Sequence, residues 1–221
     1  MFRMISMSAY AVVLLGILLH HLIFPCGYEK RFSLYSLIRK KVHLFTLIFP
    51  EQKLSWPQKI CKCIFMIGLL SFAVLAITGF GPLFFGQRLE GYLLMIHATF
   101  APVFIGCAAI VAVLGAGKYA FSGKDAEVLS CRCMESNAKR CWLTDSGVGA
   151  KAGFWVLLVL SLPVTLTMVL SMLPLFGTDG QAFLFEAHRW CALAFALIAI
   201  VELYILIRMQ ILGEIHSFDG N

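Results

Sequence analysis

Charge is what this chain has least of. Of its 221 residues 14% are charged, and acidic residues are the scarcer kind, 12 Asp and Glu against 18 Lys and Arg. With 60% hydrophobic residues and a mean hydropathy of +0.87, that poverty excludes an ordinary soluble domain and indicates an integral membrane protein. There are 8 cysteines but no Cys-x-x-Cys, so the spacing fits none of the usual zinc or iron–sulfur signatures. Without Cys-x-x-Cys-His, no covalent c-type haem is expected. Neither a nucleotide-binding glycine loop nor a nucleophile–base constellation is present, so no substrate site is expected on this chain. No internal repeat or low-complexity tract is visible.

What is present is long apolar runs. A span needs about 20 mostly apolar residues, and five stretches qualify: 4–24, 60–85, 92–114, 154–175 and 190–212. The expected fold class is therefore all-α, with five transmembrane helices. The first run opens on Arg3 as a signal peptide would, but it is long, and Phe24-Pro25-Cys26-Gly27 is a poor cleavage site, so it reads as a retained helix. Cations crowd two connections. Lys30, Arg31, Arg39, Lys40, Lys41, Lys53 and Lys59 lie between spans one and two, and Lys118, Lys124, Arg132, Lys139, Arg140 and Lys151 between three and four. By the positive-inside rule both loops are cytoplasmic, with the amino terminus outside and the carboxyl terminus in the cytoplasm of a bacterial inner membrane. Loop cations flanking membrane helices are a poor argument for nucleic acid. Residues 31–49 combine clustered cations with apolar residues at helical spacing, as expected of an amphipathic helix lying on the inner surface among lipid headgroups.

Two ionisable residues stand out inside apolar runs: His97 in Tyr92-Leu-Leu-Met-Ile-His97 and His188 in Phe183-Leu-Phe-Glu-Ala-His188. An ionisable group within a span is costly and reads as functional. With the orientation above, both fall near the external face, one on span three and one on span five. A depth-matched pair of imidazoles on separate helices is what a bis-histidine b haem requires, one ring per axial position. The alternative is two core histidines bonded to nearby carbonyls. Thr78-Gly79-Phe80-Gly81-Pro82, near the outer end of span two, offers glycines for close approach to a helix or flat cofactor, or marks a simple helix end.

From about residue 56 to 212 the chain resembles the cytochrome b (gamma) subunit of respiratory formate dehydrogenases and related hydrogenase-type di-haem membrane cytochromes b. The matching features are Leu75-Ala-Ile-Thr78-Gly79, Gly91-Tyr-Leu-Leu-Met-Ile-His97, Gly147-Val-Gly-Ala-Lys-Ala-Gly-Phe154-Trp155, Phe183-Leu-Phe-Glu-Ala-His188 and Glu202-Leu-Tyr204. The resemblance implies that residues 56–221 form a four-helix cytochrome b-like domain, and that residues 1–55 add an extra transmembrane helix and the interfacial segment. It also implies that His97 and His188 are axial ligands of the outer of two stacked b haems. The inner haem does not carry over. Its ligand on the last helix would lie fourteen residues after His188, about 21 Å along the axis, where this chain has Glu202; its partner position falls near Phe65.

That departure leaves the family's quinone site, beside the inner haem, without a counterpart. Glu202 could donate a hydrogen bond as the protonated acid, meet a quinone headgroup, join a proton path, or simply bond a neighbouring helix. Arg208, beyond it, reads as a cation snorkelling to the inner surface. A replacement second haem could use His20 or His21 with His43, all on the inner side; the alternative is histidines wetted by headgroups. Cys131, Cys133 and Cys141, joined by Cys61 and Cys63, could hold zinc or a cluster, or be free thiols in a reducing cytosol. Implied partners are an iron–sulfur protein or multihaem cytochrome c outside, and a membrane quinone or a cytoplasmic iron–sulfur protein inside. The rival expectation is a haem-free membrane anchor or assembly subunit of a redox complex.

Overall fold

The computed structural model describes residues 1–24, 56–123, 125–126, 147–173 and 175–218, the side chains of residues 58 and 210–218 excepted. Its five long helices are α1 (Phe2–Ile23), α2 (Trp56–Phe84), α3 (Gly91–Gly115), α4 (Val148–Met172) and α5 (Gly177–Phe218). All five are long and apolar enough to cross a membrane, and no strand occurs among the described residues. The interfacial segment expected at 31–49 lies outside the described residues.

Burial runs opposite to that of a soluble protein. Residues with almost no exposure include Ser6, Ser71, Thr78 and Ser171, whereas large side chains such as Leu70, Ile77, Leu162 and Leu166 are exposed. Lipid is as apolar as leucine, so helices in a membrane gain nothing by hiding leucines from it; they associate through small side chains and interhelical hydrogen bonds. The outward leucines are lipid-facing. Ser6, Thr78 and Ser171 each donate to a carbonyl of their own helix, Ser6 to that of Phe2 at 2.9 Å.

The chain divides into two compact units. One contains the α2–α3 hairpin. Gly68 of α2 allows close packing, since a Cβ there would lie 3.1 Å from the Cys107 Cβ of α3. The other contains α1 together with residues from 116 onward, and here α4 and α5 form the second hairpin. Helix α1 runs parallel to α5. Phe2 meets Trp190 edge-on at 4.8 Å with Arg189 over its ring at 4.2 Å, His20 reaches Tyr204, and Phe24 offers its carbonyl to Arg208 at 2.7 Å. So the amino-terminal helix, expected as an addition before a separate four-helix domain, shares a unit with α4 and α5.

Two boundaries move. Span four was expected over 154–175 and is α4 from Val148, after Gly147 in a left-handed conformation (φ 78°). Span five was expected to begin at 190; α5 begins at Gly177 and has 42 residues, about 63 Å against a hydrocarbon core of about 30 Å. Its polar first turn, Gly177-Thr-Asp-Gly180, is helix that an apolar window does not register.

The segment before α4 is pinned to it. Asp125 Oδ2 accepts from Lys151 Nζ at 2.7 Å and from the Ser122 amide and hydroxyl at 2.6 and 2.8 Å. Trp155 donates to the Tyr119 carbonyl at 3.0 Å, and Tyr119 stacks on Phe154 with centroids 4.5 Å apart.

Candidate functional site

The two hairpins repeat one pattern that the sequence alone did not reveal. In the first, Thr78 on α2 meets His97 on α3, nineteen residues later, with Oγ1 and Nδ1 2.9 Å apart. In the second, Thr167 on α4 meets His188 on α5, twenty-one residues later, at 3.4 Å. Each threonine folds its hydroxyl back onto its own helix. Thr78 donates to the Val74 carbonyl at 2.7 Å and Thr167 to the Pro163 carbonyl at 2.6 Å. The surrounding sequence agrees: Pro82-Leu-Phe-Phe-Gly86 parallels Pro174-Leu-Phe-Gly177, and His97-x-x-x-Ala101-x-x-Phe104 parallels His188-x-x-x-Ala192-x-x-Phe195. Gly86 and Gly177 both take positive φ, 74° and 63°, where a side chain would be strained.

This geometry sets the tautomer of His188. A carbonyl oxygen carries no proton, so the His188 Nδ1, 3.0 Å from the Val164 carbonyl, must be the donor. The Thr78 hydroxyl points its single proton at the Val74 carbonyl, which leaves its oxygen able to accept from His97 Nδ1. In a neutral His188 ring Nε2 then carries the lone pair, and the same holds for His97 when its Nδ1 is the donor to Thr78. A histidine that donates from Nδ1 and offers Nε2 is the arrangement of a metal-ligating imidazole, in which the outer hydrogen bond sets ring orientation and raises ligand basicity. The His97 ring also packs against Gly79, where a Cβ would come within 3.3 Å of Cε1. That close approach is the use found for the glycine after Thr78.

The other expected residues are placed less coherently. His20 hydrogen-bonds through Nδ1 to the Tyr204 hydroxyl at 2.8 Å, while His21 is exposed to the lipid side of α1. His43 lies outside the described residues, as do Cys131, Cys133 and Cys141. Cys61 and Cys63 are half-buried thiols, and no group of three or more possible metal ligands occurs among the described residues. Phe65, near the position where the resemblance would put an inner-haem ligand, is 47% exposed. Glu202 is buried, packed against Gly153 of α4. Arg208 corrects its expectation: rather than snorkelling it is 3% exposed, its Nη1 spent on the Phe24 carbonyl.

Sequence reasoning missed Thr167, Val164 and Gly153 as neighbours of candidate residues. Only the Pro-Leu-Phe-Gly and His-x-x-x-Ala-x-x-Phe echoes could have pointed to the first two. No protein-family model, curated protein or solved structure matches this chain.

Proposed function

We propose that this chain is a membrane cytochrome b, the electron-transfer subunit of a respiratory oxidoreductase complex, with His97 and His188 as axial ligands of one b haem near the outer membrane face. The observation that carries the reading is the repeated hairpin. Each copy presents one histidine on its second helix, with Nδ1 facing a threonine of the first. Two copies of a ligand-holding device supply the two axial positions that a low-spin haem needs. When bound, haem supplies a reversible one-electron couple; the protein's part is to present the two imidazoles, keep them in one tautomer and exclude water.

The chain is a multi-pass membrane protein, and the reading places it in a bacterial inner membrane with the amino terminus outside. An external iron–sulfur subunit or multihaem cytochrome would exchange electrons at the His97–His188 end. The quinone pool, or a cytoplasmic iron–sulfur protein docked on the basic loops, would be the other terminus. The resemblance to gamma-type cytochromes b, with the outer ligands kept and the inner ones replaced by Glu202 and a residue near Phe65, supports one haem rather than two.

That same replacement favours a second reading, a haem-free anchor keeping the family's helices without its redox role. Haem stoichiometry on the purified chain, by pyridine haemochrome with a reduced-minus-oxidised spectrum, separates the two. The cytochrome reading expects one b haem per chain, lost in His97→Ala and in His188→Ala. A properly assembled chain with no b-type signal establishes the anchor instead.

A further inference from the structure

We propose that Glu202 is a proton-exchanging carboxyl inside the membrane, in a site that α4 and α5 build around Gly153. The inference stands apart from the haem reading, because it uses only groups within the α1–α4–α5 unit. Glu202 is 6% exposed, and among the described residues its Oε2 meets no hydrogen-bond partner. A buried polar atom left unsatisfied is rare enough in native proteins to require an account.

The surroundings show that the carboxyl is accommodated rather than squeezed in by chance. Opposite it on α4 stands Gly153, where a Cβ would overlap the carboxyl group and come within 3.2 Å of Glu202 Cγ. The acid occupies the space that a side chain at 153 would take. One turn earlier, Gly149 and Ala150 are buried as well, so this stretch of α4 offers backbone and methyl groups but no partner.

Other charged and titratable groups of the same unit make contacts of their own. On α4, Lys151 binds Asp125. On α1, His20 Nδ1 is bonded to the Tyr204 hydroxyl of α5. On α5 itself, Arg208 Nη1 donates to the Phe24 carbonyl. A carboxylate without a counter-charge is costly in an apolar interior, while the neutral acid retains an O–H that can be passed on. The step is proton transfer alone: the carboxyl O–H bond breaks, the proton moves to the oxygen of an entering water, and the reverse transfer restores the acid. No electron changes hands. Such a group is a stepping point for protons between the two faces of the membrane.

Infrared spectroscopy of the full chain in lipid nanodiscs tests this directly. The expected result is a protonated-carboxyl C=O band that disappears in Glu202→Gln and shifts within minutes of transfer to D2O. Absence of that band overturns the proposal, and so does a band that D2O leaves unshifted for hours, which would mark a static structural acid. Gly153→Ala should displace or abolish the band; an unchanged band would remove Gly153 from the site. If Glu202→Gln does not assemble, the wild-type chain is treated with a hydrophobic carbodiimide, which modifies protonated membrane carboxyls, and mapped by mass spectrometry. Modification of Glu202 is expected, and an unmodified Glu202 overturns the proposal.

Discussion

Replacing Thr78 by valine removes one hydroxyl and little else, since the two side chains are close in shape. The hydroxyl it removes lies 2.9 Å from His97 Nδ1, within hydrogen-bond reach. Losing a neutral hydrogen bond and stranding its buried donor costs about 1–3 kcal/mol. The same range follows from metal sites, where removing a ligand's outer partner weakens metal binding about 10–100-fold. Thr167→Val makes the internal comparison. His188 keeps the Val164 carbonyl at 3.0 Å, and the threonine contact at 3.4 Å is already near the limit of a hydrogen bond, so less than about a threefold effect is expected. A donated Nδ1–H makes the imidazole more basic and favours the oxidised metal, so Thr78→Val should also raise the midpoint potential. A tenfold loss confined to the oxidised form corresponds to about 59 mV for one electron. On the proposed cytochrome reading, the assay is haem content after detergent washing, followed by a spectroscopic redox titration. Equal effects from the two substitutions, or a Thr78→Val protein with wild-type haem content and potential, would refute the reasoning.

Other expectations follow from packing and charge. Lys151 first, and then the Ser122 amide and hydroxyl, hold the Asp125 carboxyl down at about 2 against its usual 3.8. A depressed acid stabilises the fold above its unfolded value and loses that contribution as pH falls. Residues 116–126 should therefore stay protected from hydrogen exchange down to pH 3.8 and loosen between there and about 2. Asp125→Asn should loosen them at neutral pH. Gly68→Leu would wedge α2 from the Cys107 Cβ of α3, and thermal unfolding in detergent should report a loss of about 1–3 kcal/mol. Tyr204→Phe deletes the hydroxyl bonded to His20; thermal scanning should show a drop of about 1 kcal/mol, and cysteine cross-linking a weaker hold between α1 and α5.

The five helices were legible because hydropathy over twenty residues is a strong signal that packing does not override. Their ends were less so. Gly177-Thr-Asp-Gly180 looks like a loop by composition, yet it begins α5, whose length takes it well past the hydrocarbon. His97 and His188 were legible as ionisable groups in apolar runs, but their partners were not. A threonine nineteen or twenty-one residues upstream becomes a neighbour only when the hairpin closes, and the register depends on the turn. That two-residue difference is also why the repeat escaped notice, since no single period aligns both copies. Glu202 could be read as a buried acid, while Gly153 could not be matched to it without the α4–α5 packing. Arg208 was misjudged because a cation near a helix end normally finds water first; here the Phe24 carbonyl at the end of α1 is within reach.

The pairing of α1 with α5 also sets a timetable. His20 and Phe24 meet Tyr204 and Arg208 across a sequence separation of 184 residues. At a synthesis rate of about 5–20 residues per second, the partner for α1 is made roughly 9–37 s after α1 itself. Throughout that interval α1 must hold its place in the bilayer without the α5 partners of His20 and Phe24. A chain arrested before residue 204 would keep those groups exposed, so incomplete copies carry a polar mark that finished ones bury.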